Sequence, residues 1–396
     1  MPNSILKNKK VLLGLTGGIA LYKIPELIRR LKERGADVTA LMTRAACRFI
    51  PPLTFETLTG KDVFTDPFST PLSHIDIPGE ADVFLIAPAT ADIIGKLASG
   101  LGDDMVSLSF LVFRGPVLVA PAMNSRMYDH PVVRRNLEIL KEMGVVLVDP
   151  EEGALACGES GRGRLASIET IIEALESALT TKDLSGRRVV VTAGPTREYL
   201  DPVRYISNRS SGKMGYAVAR VAARRGADVT LISGPTHLGL PPFMEGFRQV
   251  ETTDELLAAV KDEVQKGADL LVMAAAVSDF TPSEQTETKI SRKELSTLSL
   301  RKTPDIISAI SGMPGRPFII GFAAETGPEI AKARGEMHEK GMDMVVFNDV
   351  TEEGAGFDHD TNKITIIDRR ETVSLPLMSK EECARKILDF YIKKTS

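Results

Sequence analysis

Two ten-residue stretches of this chain recur in the same order. KKVLLGLTGG at 9–18 is echoed by RRVVVTAGPT at 187–196, and RGADVTALMT at 34–43 by RGADVTLISG at 225–234. Each first stretch is a short apolar run that breaks into small and polar residues, as a buried strand does at its end. Apolar residues then recur at helical spacing until a glycine stops them, and a second strand follows. That is a βαβ opening written twice, and parallel strands need helices over both faces. The expected fold class is therefore α/β: two three-layer (αβα) doubly wound domains, flavodoxin- or Rossmann-like, with mainly parallel sheets. The polar segment TKDLSGRR marks the boundary, giving domains 1–183 and 184–396.

Further strands are expected at ADVFLIAPAT, GPVLVAPAMN and GVVLVDP in the first half. In the second half they are expected at ADLLVMAAAVSDF, RPFIIGFAAET, DMVVFNDV and ITIIDR. Residues 151–167 are Gly-rich and read as a mobile flap. The second copy is lengthened by Thr192–Gly215, TAGPTREYLDPVRYISNRSSGKMG, a polar loop far longer than ordinary strand-to-helix connections. In an open α/β sheet, strand-end loops converge on the crevice where anions and nucleotides bind.

A net charge of −4 implies no general field for nucleic acid or membrane. The three cysteines, Cys47, Cys157 and Cys383, are scattered and odd in number, so neither a disulfide framework nor a zinc site follows. No apolar run has the length of a membrane span, and the first residues lack a signal-peptide pattern. A cytoplasmic enzyme of small molecules is the expectation, with neither nucleic acid nor membrane as partner.

In the first half every strand ends in candidate ligand contacts: Thr16-Gly17-Gly18, Thr43, Pro88-Ala89-Thr90 and Ala122-Met123-Asn124. Neither half has GxGxxG or a phosphate loop ending in Gly-Lys-Ser/Thr, which argues against a dinucleotide-binding regulator. By residue type alone, His74 among Leu72, Ile75 and Ile77 reads as structural. Asn124 reads as a turn residue, and Cys157 as an inert thiol.

The combination of landmarks reads otherwise. LTGGIALYK (15–23), Ser73-His74-Ile75, APAT (87–90), ASGLGDDMVS (98–107), PAMNSRM (121–127) and ACGESGRGRL (156–165) resemble the flavin-containing cysteine decarboxylases acting on 4′-phosphopantothenoylcysteine. That resemblance implies FMN held by Thr16, Gly17, Gly18, Ile19, Thr43, Pro88, Ala89, Thr90, Ser107, Ala122 and Met123. It implies His74 as a base near the substrate thiol, Asn124 as holder of the carboxylate and Cys157 as the acid. The chemistry is consistent, because a carboxylate leaving an amino-acid carbon needs an electron sink that only a cofactor supplies.

The loop 192–215, with AAAVSDF (274–280), KTPDI (302–306), GFAAET (321–326) and FNDV (347–350), resembles the phosphopantothenate–cysteine ligases. Joining a carboxylate to an amine in water requires an acyl-nucleotide, hence a triphosphate, Mg²⁺ and cations to neutralise them. The resemblance implies CTP and places its phosphates on Ser210, Ser211 and Gly212. Lys289 would meet the developing charge, and Asn208 would position the acyl-phosphate. Asp279 would contact the nucleotide or its Mg²⁺. Ala275, Pro304, Asp305, Ile306, Ile307, Phe322 and Lys340 would line the pocket. Substrates would be 4′-phosphopantothenate, cysteine and CTP. The family also implies a homo-oligomer, with trimer-based flavin domains and dimeric ligase domains. Two positions depart from the pattern: Glu336 stands where a lysine is usual, and Ser291-Arg292 where two lysines are common.

Overall fold

The computed structural model describes residues 4–395, apart from 69–70, 155–159, 242–243, 245, 292–296, 328 and 357; the side chains of 154 and 160 are likewise outside it. Contacts divide the chain into two units, Met1–Thr180 and Thr181–Ser396. Lys182 and Asp183 lie with the second unit, held by the Arg224 carbonyl and the Arg225 guanidinium.

The first unit is a five-stranded parallel sheet: β1 (Lys10–Leu15), β2 (Asp37–Met42), β3 (Val83–Ala89), β4 (Val117–Pro121) and β5 (Val146–Leu147). Their order is β2-β1-β3-β4-β5, all parallel. Alternation explains the two covering layers. Val11, Leu13 and Leu15 pack into one apolar cluster with the helix Ile24–Glu33, while Leu12 faces a second cluster on the other side. Each fully buried leucine contributes roughly 1.5–3 kcal/mol.

The second unit has an eight-stranded sheet: β6 (Arg188–Ala193), β7 (Asp228–Ser233), β8 (Gly246–Gln249), β9 (Leu270–Met273), β10 (Phe318–Glu325), β11 (Met344–Asp349), β12 (Ile364–Asp368) and β13 (Thr372–Ser374). Their order is β8-β7-β6-β9-β10-β11-β12-β13. The first six are parallel, and β12 and β13 add an antiparallel edge. The two orders are those of the flavodoxin-like and Rossmann windings, and each reverses direction beside its first strand. In this unit Val189 and Val191 face one apolar cluster and Val190 the other, which makes three layers again.

Two regions differ from the sequence expectation. The loop 192–215 contains an antiparallel hairpin, Arg197–Tyr199 with Tyr205–Ser207, which resolves the problem of so long a structureless connection. The segment expected as a flap carries paired strands, Glu151–Ala154 and Ser160–Arg164. Cys157 falls between them, outside the described residues. No helix among the described residues is long and apolar enough to cross a membrane.

Candidate active sites

In the first unit the winding reverses between β1 and β3, and their carboxyl ends carry the expected contacts. Thr16, buried after β1, donates its hydroxyl to the Pro88 carbonyl at 2.5 Å and accepts from the Thr90 amide at 3.2 Å. Gly17 is required by close approach: a Cβ there would lie 2.4 Å from the Ala45 Cβ. The neighbouring strand end is tied in by the Ala122 amide on the Ala89 carbonyl at 2.9 Å.

Three expected contacts cap helices. Thr43 accepts from the Ala46 amide, Thr90 from Ile93 and Asn124 from Arg126. A capping hydroxyl accepts through oxygen and keeps its own O–H as a donor, so Thr43 and Thr90 remain able to serve a ligand. Ser107 is different. It is fully buried and its hydroxyl closes a capping box with Asp104 at the start of the helix Met105–Val112. Lys96 explains the Asp pair before it, bridging Asp103 and Asp104 at 2.9 Å each. Burial opposes the Lys96 charge, but those carboxylates hold its ammonium well above the usual lysine value.

His74 sits in the short helix Ser73–Gly79, which packs on Met105–Val112. The chain enters this helix through Leu72 at φ 61°, a left-handed value uncommon for leucine. The His74 Nδ1 is buried without a hydrogen-bond partner. A buried ring nitrogen left without a partner is uncommon in a folded protein and fits a group completed by a bound polar ligand, which FMN with its substrate would supply. The strand Ser160–Arg164 reaches the end of β4 through the Met123 amide on the Gly163 carbonyl at 3.0 Å.

In the second unit the corresponding point lies between β6 and β9, where backbone and buried threonines lace three motifs together. Pro195 bridges Ala276, and the Ala276 amide donates to the Gly194 carbonyl at 2.9 Å. The Ala275 amide donates to the Thr192 hydroxyl at 3.2 Å, and Ser278 N–H to that of Thr196 at 2.9 Å. Asn208 donates its side-chain amide to the Val277 carbonyl at 2.8 Å. Thr303 closes the ring, its amide on the Asp279 carbonyl at 3.1 Å and its hydroxyl on that of Ser278 at 2.6 Å. Thr192, near the end of β6, and Thr196, in the loop after it, escaped the sequence reading because lone threonines there look like packing.

Ser210, Ser211 and Gly212 lead directly into the helix Lys213–Arg224. Gly215 lets that helix start close to the sheet, since a Cβ there would lie 2.6 Å from the Ala193 Cβ. The helix's first amide groups and positive dipole end are thereby set at the strand ends. Arg209 and Lys213 flank the loop, paired with Asp358 at 2.8 Å and Asp360 at 2.7 Å. Asp279 and Lys289 are exposed. Ile306 is a core residue, 3 % exposed, so of the 304–307 stretch only the other three side chains reach the surface. Asp305 caps the helix Ile306–Ser311 through the Ser308 amide.

Glu336 has a definite role in this arrangement. It pairs with Lys340 at 2.5 Å, one helical turn along, and Asp305 lies 3.6 Å from the same ammonium. Burial pulls the Lys340 ammonium down, but the hydrogen bond and charge of Glu336 and then Asp305 outweigh it and hold it above the usual lysine value. Among the described residues, no group of three or more His, Cys, Asp or Glu could hold a metal ion. A metal at Asp279 would therefore take most of its ligands from elsewhere, as Mg²⁺ does from nucleotide phosphates.

Two α/β units, each with its strand-end loops laced together at its winding reversal, are the architecture of doubly wound ligand-binding enzymes. Residues 2–180 match the Flavoprotein family, and 184–394 match the DNA/pantothenate metabolism flavoprotein C-terminal domain. The chain is 43 % identical to the coenzyme A biosynthesis bifunctional protein CoaBC of Bacillus subtilis (strain 168) over 396 residues, spanning 97 % of each chain. It is 41 % identical to the protein of the same name from Escherichia coli (strain K12), again over 97 % of each. Among solved structures, the C-terminal domain of a CoaBC covers 54 % of this chain and 98 % of its own at 37 % identity, TM-score 0.47. The FMN-dependent cysteine decarboxylase SpaF covers 44 % and 97 % at 28 % identity, TM-score 0.39. The chain belongs to the family of bifunctional coenzyme A biosynthesis proteins.

Proposed function

We propose that the second unit ligates cysteine to 4′-phosphopantothenate and that the first decarboxylates the product to 4′-phosphopantetheine. The observation carrying this reading is that each half gathers its own motifs at its own winding reversal. The unit Met1–Thr180 is assigned to decarboxylation and the unit Thr181–Ser396 to ligation, so the boundary expected at 183/184 falls three residues earlier.

In the ligase, CTP with Mg²⁺ would convert the substrate carboxylate to an acyl-CMP, releasing pyrophosphate, before the cysteine amine attacks. Ser210, Ser211, Gly212 and the helix Lys213–Arg224 would receive the phosphates, with Lys289 neutralising charge that develops on them. Asn208, anchored on Val277, would hold the acyl-phosphate, and Asp279 would face the nucleotide or its Mg²⁺.

In the decarboxylase, Thr16, Gly17, Gly18, Ile19, Thr43, Pro88, Ala89, Thr90, Ser107, Ala122 and Met123 would hold FMN. When bound, FMN supplies reversible two-electron oxidation at the thiol-bearing carbon, which makes the carboxylate β to a thiocarbonyl and able to leave. His74 would take a proton near the substrate thiol, using the ring that carries the orphaned Nδ1. Asn124 would hold the carboxylate, and Cys157 would return the proton at the end. A cytoplasmic homo-oligomer, trimeric through its flavin domains and dimeric through its ligase domains, belongs to the same reading.

The test is one incubation of the purified chain with 4′-phosphopantothenate, cysteine and CTP–Mg²⁺. Pyrophosphate, CO₂ and 4′-phosphopantetheine should appear, and the protein should carry one FMN per chain. A colourless protein that takes up no added FMN, or pyrophosphate release that does not need CTP, would overturn the reading.

A further inference from the structure

Asp201 lies in the turn of the hairpin inside the 192–215 loop and is 2 % exposed. Its Oδ1 accepts from the Val203 and Arg204 amides, both at 2.9 Å. Its Oδ2 accepts from the Arg204 guanidinium, Nε at 2.9 Å and Nη2 at 2.5 Å, and from the Ile290 amide at 3.3 Å. Arg204 Nη2 also donates to the Ile290 carbonyl at 2.8 Å. Both backbone polar groups of Ile290 therefore end on one ion pair. A second tie lies four residues earlier, where the Thr286 amide donates to the Leu200 carbonyl at 3.2 Å.

The residue between these two ties that bears on catalysis is Lys289. It is exposed, and it lies on a segment outside helix and strand. A long lysine on such a segment carries about 2 kcal/mol of rotamer entropy, and freedom of its own backbone adds to this. A catalytic cation must be held close to its productive geometry, because a displacement of about 1 Å can cost on the order of a hundred-fold in rate. A carboxylate withdrawn from water is costly unless every lone pair is met. At Asp201 the hairpin supplies four donors and the Ile290 amide a fifth, so the ion pair is already formed within the hairpin and presents a fixed acceptor and a fixed guanidinium N–H on which the Lys289 segment docks.

We propose that Asp201, acting with Arg204, is a positioning residue for the ligase step, which clamps the Ile290 backbone and so fixes the segment that carries Lys289. The inference rests on the reading of Lys289 as the cation facing the nucleotide phosphates. The clamp joins the hairpin of the nucleotide loop to a residue more than eighty positions away in sequence, so loop and lysine are set as one unit.

The test uses the full chain with Asp201→Asn and, separately, Arg204→Lys. The second keeps a cation beside Asp201 but loses the planar fork that grips both carboxylate and carbonyl. Amide hydrogen exchange across 286–291 is followed together with CTP-dependent pyrophosphate release, and decarboxylation of added 4′-phosphopantothenoylcysteine serves as internal control. Both variants are expected to speed exchange in 286–291 while β6 and β9 stay protected. They should lower kcat for pyrophosphate release on the order of ten- to a hundred-fold, leave the KM for CTP within about three-fold, and spare decarboxylation. Faster exchange with unchanged kcat would overturn the clamp's role while leaving the ligase reading intact. Exchange rising across the whole sheet would show a structural residue and overturn the proposal. Wild-type chain that releases no pyrophosphate would instead sink the reading on which it rests.

Discussion

Glu336 gives the sharpest quantitative prediction. Its carboxylate stands 2.5 Å from the Lys340 ammonium, and the two side chains are 34 % and 30 % exposed. If Lys340 serves the nucleotide, it must leave Glu336 to do so, and the ligand bears that cost. Partly exposed pairs one helical turn apart are worth about 0.5–1 kcal/mol at most. Removing the charge with Glu336→Gln should therefore tighten CTP–Mg²⁺ binding about two- to five-fold. The gain is capped because Asp305 remains 3.6 Å from the same ammonium. Titration calorimetry on the full chain at about 0.15 M salt reads the effect directly, and it should shrink as salt rises and screens the pair. The change in unfolding free energy should stay under about 1 kcal/mol. Unchanged or weaker CTP binding in the variant would show that Glu336 does not compete for Lys340, and the argument would fall.

Other predictions test separate links. Gly17→Ala puts a methyl against Ala45 and must push the Thr16–Gly18 turn away, so FMN retention should be lost for a stability cost of about 1–3 kcal/mol; absorbance of the purified variant near the flavin bands checks it. Asn208→Ala should let activation proceed but slow the cysteine step, so an acyl-CMP species accumulates and is seen by mass spectrometry of quenched reactions. The pH dependence of stability has a definite sign. Arg204 and three backbone amides hold Asp201 well below the usual carboxylate range, and Arg225 does the same, less strongly, for Asp183. Carboxyls depressed in the folded state bind fewer protons there than when unfolded. Their contribution is therefore complete above about pH 4 and is lost as pH falls through their folded values. Urea midpoints of the second unit should be insensitive to these groups from pH 5 to 8 and drop below pH 4.

What was legible in the sequence was whatever repeats at short range. The strand-to-helix echoes announced both windings because β-branched runs, helical spacing and a Gly stop are all local. The strand-end loops announced the crevices because an open parallel sheet leaves its ligand contacts nowhere else. Short polar strands were not legible. Arg197–Tyr199 and Tyr205–Ser207 are three residues each, too short for an alternating pattern to reveal them. The capping duty of Ser107 was hidden for a related reason, since the backbone of Asp104 three residues before it decides where its hydroxyl turns. The lacing by Thr192 and Thr196 and the grip of Asp201 on Ile290 depend on partners some eighty or more residues away, and no spacing rule reaches that far. Glu336 was visible as an oddity, but its meaning needed the Lys340 distance.

The central claim is two chemistries at two independent sites in one chain, and reciprocal substitution tests it most directly. His74→Asn and Lys289→Ala are each assayed for CTP-dependent pyrophosphate release and for CO₂ release from 4′-phosphopantothenoylcysteine. The account predicts that His74→Asn abolishes CO₂ release and leaves ligation intact, and that Lys289→Ala does the reverse. Either substitution abolishing both activities in a chain that still folds and binds FMN would contradict it.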